Sequence, residues 1–149
     1  MRIFSVLTLM TFAASLASLS SSAARADAAA DTEAAAHAYS LSSTKELKLK
    51  VGESGAVHVE VVPNAGDHVS PEAPVSLSAA AQPVFDLPKL KLSRADAKST
   101  AAQGVEFSLP VVGKEKGRAE LKAQLSFYIC VATLCAHQKR EIAVPVQVE

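Results

Sequence analysis

The last third of the chain carries the clearest alternation of apolar and polar residues. From Ala119 to Cys130 the odd-numbered positions are apolar, and nearly all of the even-numbered ones are polar. After Cys135 the parity is reversed, with apolar residues at even positions from Ile142 to Val148. An α-helix would repeat apolar residues every 3.6 positions, and neither stretch does. The pattern predicts two long β-strands, each with one buried face.

Pairing these strands as a hairpin across a four-residue turn, residues 131–134, matches their faces. Cys130 then lies opposite Cys135, and Tyr128 opposite His137, on the polar side. The other predicted pairs are Ser126 with Lys139 and Gln124 with Glu141 outside, and Leu121 with Val144 and Ala123 with Ile142 inside. Register and periodicity agree, as a hairpin requires. We therefore expect both sulfurs on the water-facing side, at the end of the hairpin.

Short alternating segments separated by Gly, Pro, Asn and Ser fill the middle of the chain. Strands are predicted at 47–51, 56–62, 75–78 and 105–109, the last closed by Pro110, with 83–92 a weaker edge candidate interrupted by Pro88. Residues 94–103 are expected to form a helical turn or a loop. About seven short strands in this length favour an all-β, immunoglobulin-like antiparallel sandwich over residues 43–149.

The N-terminal residues have the pattern of an export signal. Arg2 precedes an apolar run over 3–19, and two small-residue motifs that suit cleavage follow at 24–26 and 26–28. A transmembrane anchor is the competing interpretation, but the run ends in small residues rather than a basic stop. We predict a signal peptide over 1–26 and a flexible Ala-rich tether over 27–42. The mature chain, without a membrane span, is expected in the periplasm or outside the cell.

Charge and composition narrow the function classes. The 15 basic and 15 acidic residues of the whole chain become 13 against 15 once Arg2 and Arg25 leave with the signal. This balance gives no electrostatic reason to expect nucleic acid or an anionic membrane as partner. No nucleophile elbow, Walker loop or dinucleotide-binding turn is present, so hydrolase and nucleotide-binding functions have no support. We expect a monomer that needs no cofactor, with a modest core of Val and Leu.

The two cysteines are the chemically distinctive feature. A pair with only four residues between its cysteines cannot be the inter-sheet bridge of antibody domains. A disulfide between them would stabilise the fold by only about 2 kcal/mol, through its constraint on the unfolded chain. Directly opposed strand residues also hold their Cβ atoms about 4.5–5.5 Å apart, wider than the roughly 3.8 Å of a relaxed bridge. Positive charge from His137, Lys139 and Arg140 would favour a thiolate at Cys135. The bridge is therefore expected to be more reducible than a buried one.

A family resemblance lies at the same residues. The segment Phe127-Tyr128-Ile129-Cys130, then Cys135 and Val144-Pro145-Val146, resembles the cysteine hairpin of the N-terminal periplasmic domain of thiol:disulfide interchange proteins of the DsbD family. The resemblance implies an immunoglobulin-like sandwich that passes electrons through its cysteine pair. The implied partner is a periplasmic redox protein with a reactive cysteine pair. This chain has one residue fewer between its cysteines than is usual in that family.

Three functions follow from these residues. The first is thiol–disulfide exchange, with Cys135 as the attacking thiolate and Cys130 as the resolving cysteine, or the reverse. The second is a non-enzymatic binding or structural sandwich whose bridge is a permanent hairpin clip. The third is a copper or zinc carrier that uses Cys130, Cys135 and His137, with His58 or His68 as a further ligand. Tyr128 is interpreted as a docking surface for a partner or as a cover on the hairpin.

Overall fold

A computed structural model describes residues 33–132 and 134–149 of the chain. The predicted signal peptide, residues 1–26, and the start of the predicted tether lie outside the described residues. In these two described ranges, eleven strands form two sheets that pack face to face, which confirms the predicted all-β, immunoglobulin-like sandwich. No helix in the described part of the chain is long and apolar enough to cross a membrane.

The first sheet is antiparallel throughout. Its strands in spatial order are β1 (Tyr39–Ser43), β3 (Ser54–Pro63), β9 (Val105–Gly113) and β6 (Phe85–Asp86), with β8 (Lys98–Ser99) also paired to β9.

The second sheet contains the cysteine hairpin. Its strands in spatial order are β2 (Leu47–Leu49), β11 (Leu134–Val148), β10 (Gly117–Val131), β5 (Ser76–Ala79) and β7 (Lys91–Ser93), with β4 (His68–Val69) alongside β10. Strand β2 runs parallel to β11, and the other pairs are antiparallel. Eleven strands replace the predicted seven or so, because several have only two or three residues and are too short to show a periodicity.

The core lies between the inward faces of the two sheets. Alternate residues of β3, such as Val57 and Val59, meet alternate residues of β10, such as Leu121 and Leu125, and all four are fully buried. Three phenylalanines (Phe85, Phe107 and Phe127) are also fully buried. The expected Val and Leu core is confirmed, and these rings supply its largest side chains.

Strand β9 continues past the predicted stop at Pro110. This residue pairs with Ala56 of β3, and the strand ends at Gly113. Proline lacks a backbone N–H, so within a sheet it is tolerated only where an N–H would have no neighbouring strand to bind. On its other side β9 pairs with β8 only at 105–106 and with β6 only at 112–113. Among the described residues, Pro110 therefore lies along an edge without a second partner strand.

The sandwich begins earlier than predicted. Ala35 and Ala38 are buried in the core, and β1 pairs with β3 along its whole length. Asn64 fixes this entry, because its backbone N–H binds the Ala38 carbonyl and its side-chain amide donates to the His37 carbonyl. The prediction of a flexible tether over 27–42 is therefore wrong for residues 35–42. Small methyl groups fill the core margin here, whereas the Ala-rich sequence indicated only a short helix that is marginal in water.

The segment 94–103 contains both predicted alternatives. A 3-10 turn spans Arg94–Asp96, and the Asp96 carboxylate caps it by accepting from the Ser93 backbone N–H at 2.9 Å. Lys89 also donates to this carboxylate. These hydrogen bonds and the lysine charge lower the pKa of Asp96. The turn is followed by β8 and a loop that returns the chain to β9.

Candidate functional site

The cysteine hairpin has the predicted register. Fifteen directly opposed residue pairs join β10 to β11, including every pair expected from the sequence. Strands β10 and β11 run beyond the cysteines to Val131 and Leu134, so the turn has two residues rather than four. The first turn residue, Ala132, has a φ of 41°, in the left-handed region that tight hairpin turns require.

Cys130 and Cys135 form a disulfide bridge at the end of this hairpin. Their Cα atoms are 3.9 Å apart across the two strands. The predicted pairing is confirmed, and the described residues contain no free cysteine.

The two cysteines differ in exposure although they lie opposite each other. Cys135 is exposed, whereas Cys130 is only 6% exposed. Strand β4 causes the difference by running along the other side of β10, with His68 opposite Cys130 and Val69 opposite Ile129. The prediction that both sulfurs face water is therefore wrong for Cys130. Cys130 lies outside the hydrophobic core cluster, so its burial comes from the neighbouring strand rather than from the core.

The short strand that covers Cys130 is anchored by an arginine. Arg94 donates through Nη2 to the carbonyls of Ser70 and Ala73, both at 2.6 Å, and through Nε to Ala73 at 3.1 Å. Ser70 in turn donates its backbone N–H to the Tyr128 carbonyl of β10. Residues 68–73 are thereby fixed against the hairpin. This contact carries no sequence signal, because residues 94–103 are expected from the sequence only to form a helical turn or a loop.

A cleft lies beside the same strand. Its cavity volume is about 460 Å³, and His68 and Arg94 line it together with Val69, Pro71, Ser99, Thr100, Gln103 and Gly104. The cleft therefore borders β4, the strand that pairs with β10 at Cys130.

The predicted modulators share the outer face of the hairpin. The rings of Tyr128 and His137 have centroids 4.8 Å apart and an interplanar angle of 33°. His137 Nε2 is 2.7 Å from Ser126 Oγ, which lies farther from the cysteines along β10. His137 and Lys139 are exposed, and Tyr128 is partly buried. The Ser126 hydroxyl thus holds the His137 imidazole two residues from Cys135 along β11. The sequence pattern placed Ser126 in the hairpin but indicated no role for it.

The inner face of the hairpin contains a polar contact that the sequence did not reveal. Gln138 is the one buried polar side chain among the described residues, and its Oε1 accepts from the Tyr39 hydroxyl at 3.3 Å. The Tyr39 ring packs edge-on against Phe127, with centroids 4.9 Å apart, and Arg140 lies 5.5 Å from its centroid. Burial raises the pKa of Tyr39, and the charge of Arg140 opposes part of that rise.

With the bridge closed, the described residues include no group of three or more His, Cys, Asp or Glu side chains arranged to hold a metal ion. His58, one of the two further ligands considered, lies on the first sheet with Nδ1 3.1 Å from Glu106. His68, the other, is the residue opposite Cys130.

Comparison with known proteins gives structural likenesses only. The chain matches no protein-family model, and no curated protein matches it. Murine CRIg aligns with a TM-score of 0.42 and 9% identity over 74% of this chain and 98% of that one. AggA, the major subunit of the aggregative adherence fimbriae type I from Escherichia coli, aligns with a TM-score of 0.40 and 11% identity over 74% of this chain and 94% of that one.

A third likeness is to native alpha-2-macroglobulin from Escherichia coli, spanning domain MG7 to the C-terminus. Its TM-score is 0.38 at 12% identity, over 74% of this chain and 16% of that one. Likenesses at these levels carry no information about the function of this chain.

Proposed function

We propose that this chain is an exported thiol–disulfide exchange module whose reacting group is the Cys130–Cys135 bridge. The observation that supports this best is the unequal exposure of the two sulfur-bearing residues. An incoming thiolate can reach Cys135, while β4 covers Cys130. Exchange proceeds by attack on one sulfur and departure of the other, so a bridge with one open and one shielded end has a defined direction of attack.

The hairpin has many contacts besides the bridge that hold its shape. Fifteen residue pairs and a largely buried inner face hold β10 against β11. The bridge closes a loop with only four intervening residues, which limits its entropic contribution to about 2 kcal/mol. An exchange module must keep its fold in both redox states, and this arrangement favours that.

The proposed reaction begins with a thiolate of the partner attacking Cys135 Sγ. A partner–Cys135 bond forms as the Cys130–Cys135 bond breaks, and Cys130 leaves as a thiolate that takes a proton. The partner's second thiolate then attacks its own sulfur in the mixed disulfide and releases Cys135. The partner dithiol is oxidised by two electrons and the bridge is reduced to two thiols. In the reverse sequence the two thiols reduce a partner disulfide and the bridge forms again.

Export and partner are parts of the same proposal. The N-terminal signal pattern and the presence of a bridge both favour an oxidising compartment, either the periplasm or the cell exterior. The resemblance to the periplasmic domain of DsbD proteins suggests a redox protein with its own reactive cysteine pair as the partner. No cofactor is needed, since the bridge itself carries the electrons.

Trapping of a mixed disulfide tests this proposal. The Cys130→Ser variant keeps the exposed Cys135 and lacks the resolving sulfur, so it should accumulate a stable adduct with glutathione disulfide and with partners in a periplasmic extract. The matched Cys135→Ser variant keeps only the shielded Cys130 and should form such adducts much more slowly. Equal yields from both variants, or none from either, would contradict the proposal and favour a permanent structural clip.

A further inference from the structure

Three side chains with metal-binding chemistry lie in one row across three neighbouring strands. His68 of β4 is directly opposite Cys130 of β10, and Cys130 is directly opposite Cys135 of β11. Directly opposed residues of antiparallel strands project from the same side of the sheet. Val69 and Ile129, the neighbouring pair, are buried in the core, so the row with His68 projects from the outer side.

We propose that reduction of the bridge converts this row into a binding site for Cu(I), with the two sulfurs and the His68 imidazole as ligands. The inference rests on the proposed function in one respect, namely that a dithiol can reduce the bridge. The dithiol gives up two electrons and two protons, the S–S bond breaks, and Cys130 and Cys135 become thiols. Cu(I) then displaces both S–H protons and forms two Cu–S bonds and one Cu–N bond.

The redox state decides whether the row can hold a metal. Thiolates are the ligating form of cysteine, and a disulfide offers none. The absence of a metal-binding group among the described residues therefore applies to the closed bridge. After reduction, the hairpin register still keeps the two thiols on opposite strands at neighbouring positions, where a single ion can contact both.

The donor set favours Cu(I) over Zn²⁺. Soft thiolates select Cu(I), whereas structural zinc almost always takes four ligands in a tetrahedron. His137 also lies on this face, but its Nε2 is 2.7 Å from Ser126 Oγ. A Cu(I) ion with two thiolates and a neutral imidazole has a net charge of −1, which the cationic Lys139, on the same face of β11, partly offsets. The β4 strand also limits the access of water to the Cys130 side.

Copper binding would regulate exchange at the same cysteines. Both sulfurs are occupied in the metal complex, so neither can attack a partner disulfide. The reduced, copper-loaded protein should therefore be inactive until a competing ligand removes the ion.

The test is an anaerobic titration of the chemically reduced full-length mature chain with Cu(I), using bicinchoninate as the competing chromophoric ligand. We expect one Cu(I) per reduced chain and none for the oxidised chain. His68→Ala should weaken binding roughly tenfold or more, since even outer partners of metal ligands contribute 10–100-fold. The surface control His58→Ala, on the other sheet, should bind like the unmodified chain.

X-ray absorption keeps the proposal testable if a variant folds poorly. The copper spectrum of the unmodified protein should fit two sulfur donors and one nitrogen donor, and that of His68→Ala should lose the nitrogen. Absence of 1:1 binding by the reduced chain, or equal affinities with and without His68, would overturn the site. A reduced chain that exchanges disulfides but ignores Cu(I) refutes this inference alone. If the chemically reduced chain binds Cu(I) but biological dithiols do not reduce its bridge, only the proposed function is refuted.

Discussion

The hydroxyl of Tyr39 donates a hydrogen bond to Oε1 of the buried Gln138, and this 3.3 Å contact joins the first strand of one sheet to the last strand of the other. Buried polar atoms are costly unless they find partners. Gln138 is tolerated inside the sandwich because Tyr39 reaches it from the opposite sheet. The contact also connects the entry of the chain to the hairpin that carries the cysteines.

Removing the Tyr39 hydroxyl should destabilise the fold. The Tyr39→Phe variant leaves Gln138 Oε1 buried without its donor, so we expect the free energy of unfolding to fall by about 1–3 kcal/mol. Urea denaturation measures the change. Tyr128→Phe is the matched control, because its ring lies on the outer face of the hairpin, where it should cost little. A Tyr39→Phe variant as stable as the unmodified chain would show that the contact does not support Gln138.

Ionisation of Tyr39 should make stability sensitive to high pH. Burial raises its pKa above the usual 10.0 in the folded chain. The group therefore binds its proton more tightly when folded, and its contribution is fully present below pH 10 and is lost as pH rises through the folded pKa. Unfolding free energies measured from pH 8 to 11.5 should fall more steeply for the unmodified chain than for Tyr39→Phe. Parallel curves for the two proteins would contradict this assignment.

The two thiols of the reduced protein should react at different rates. Cys135 is exposed and Cys130 is covered by β4, so iodoacetamide under native conditions should modify Cys135 first. Peptide mass spectrometry at increasing times gives the two rates. Denatured protein is the control, where the difference should largely vanish. Faster modification of Cys130 under native conditions would contradict the shielding role of β4.

Removing the bridge should lower the free energy of unfolding less than removing one core ring does. The double variant Cys130→Ala/Cys135→Ala removes a constraint of about 2 kcal/mol and should keep the far-ultraviolet circular dichroism of the native chain. Phe127→Ala removes a fully buried ring from the inner face of the same hairpin and should cost about 3–5 kcal/mol. Urea denaturation compares the two. An unfolded double variant would mean that the bridge is structurally required, which an exchange module cannot tolerate.

The long hairpin could be predicted from sequence because both of its strands alternate over many residues. One register alone brought the alternating apolar faces of both strands together on the inner side, and Cys130 opposite Cys135 followed from it. The inward face nevertheless continues beyond its apolar part to Gln138 and Arg140. The sequence pattern did not show this, because both residues are polar and their inward position depends on contacts with Tyr39 of the other sheet.

The shield over Cys130 could not be predicted in the same way. Strand β4 has only the two residues His68 and Val69, which is too short for any periodicity. Its position depends on non-local contacts, chiefly those of Arg94 with the carbonyls of Ser70 and Ala73. The same reason explains the missed strand β1, whose residues show a role only once β3 lies beside them.

The reduction potential of the Cys130–Cys135 bridge tests the central claim most directly. Equilibration of the mature protein with glutathione redox buffers, followed by thiol alkylation and mass measurement, gives the value. An exchange module predicts a potential near −200 mV, in the range of exchangeable pairs. A potential well below about −300 mV would contradict the proposal, because a bridge that resists the glutathione pool is a permanent structural link.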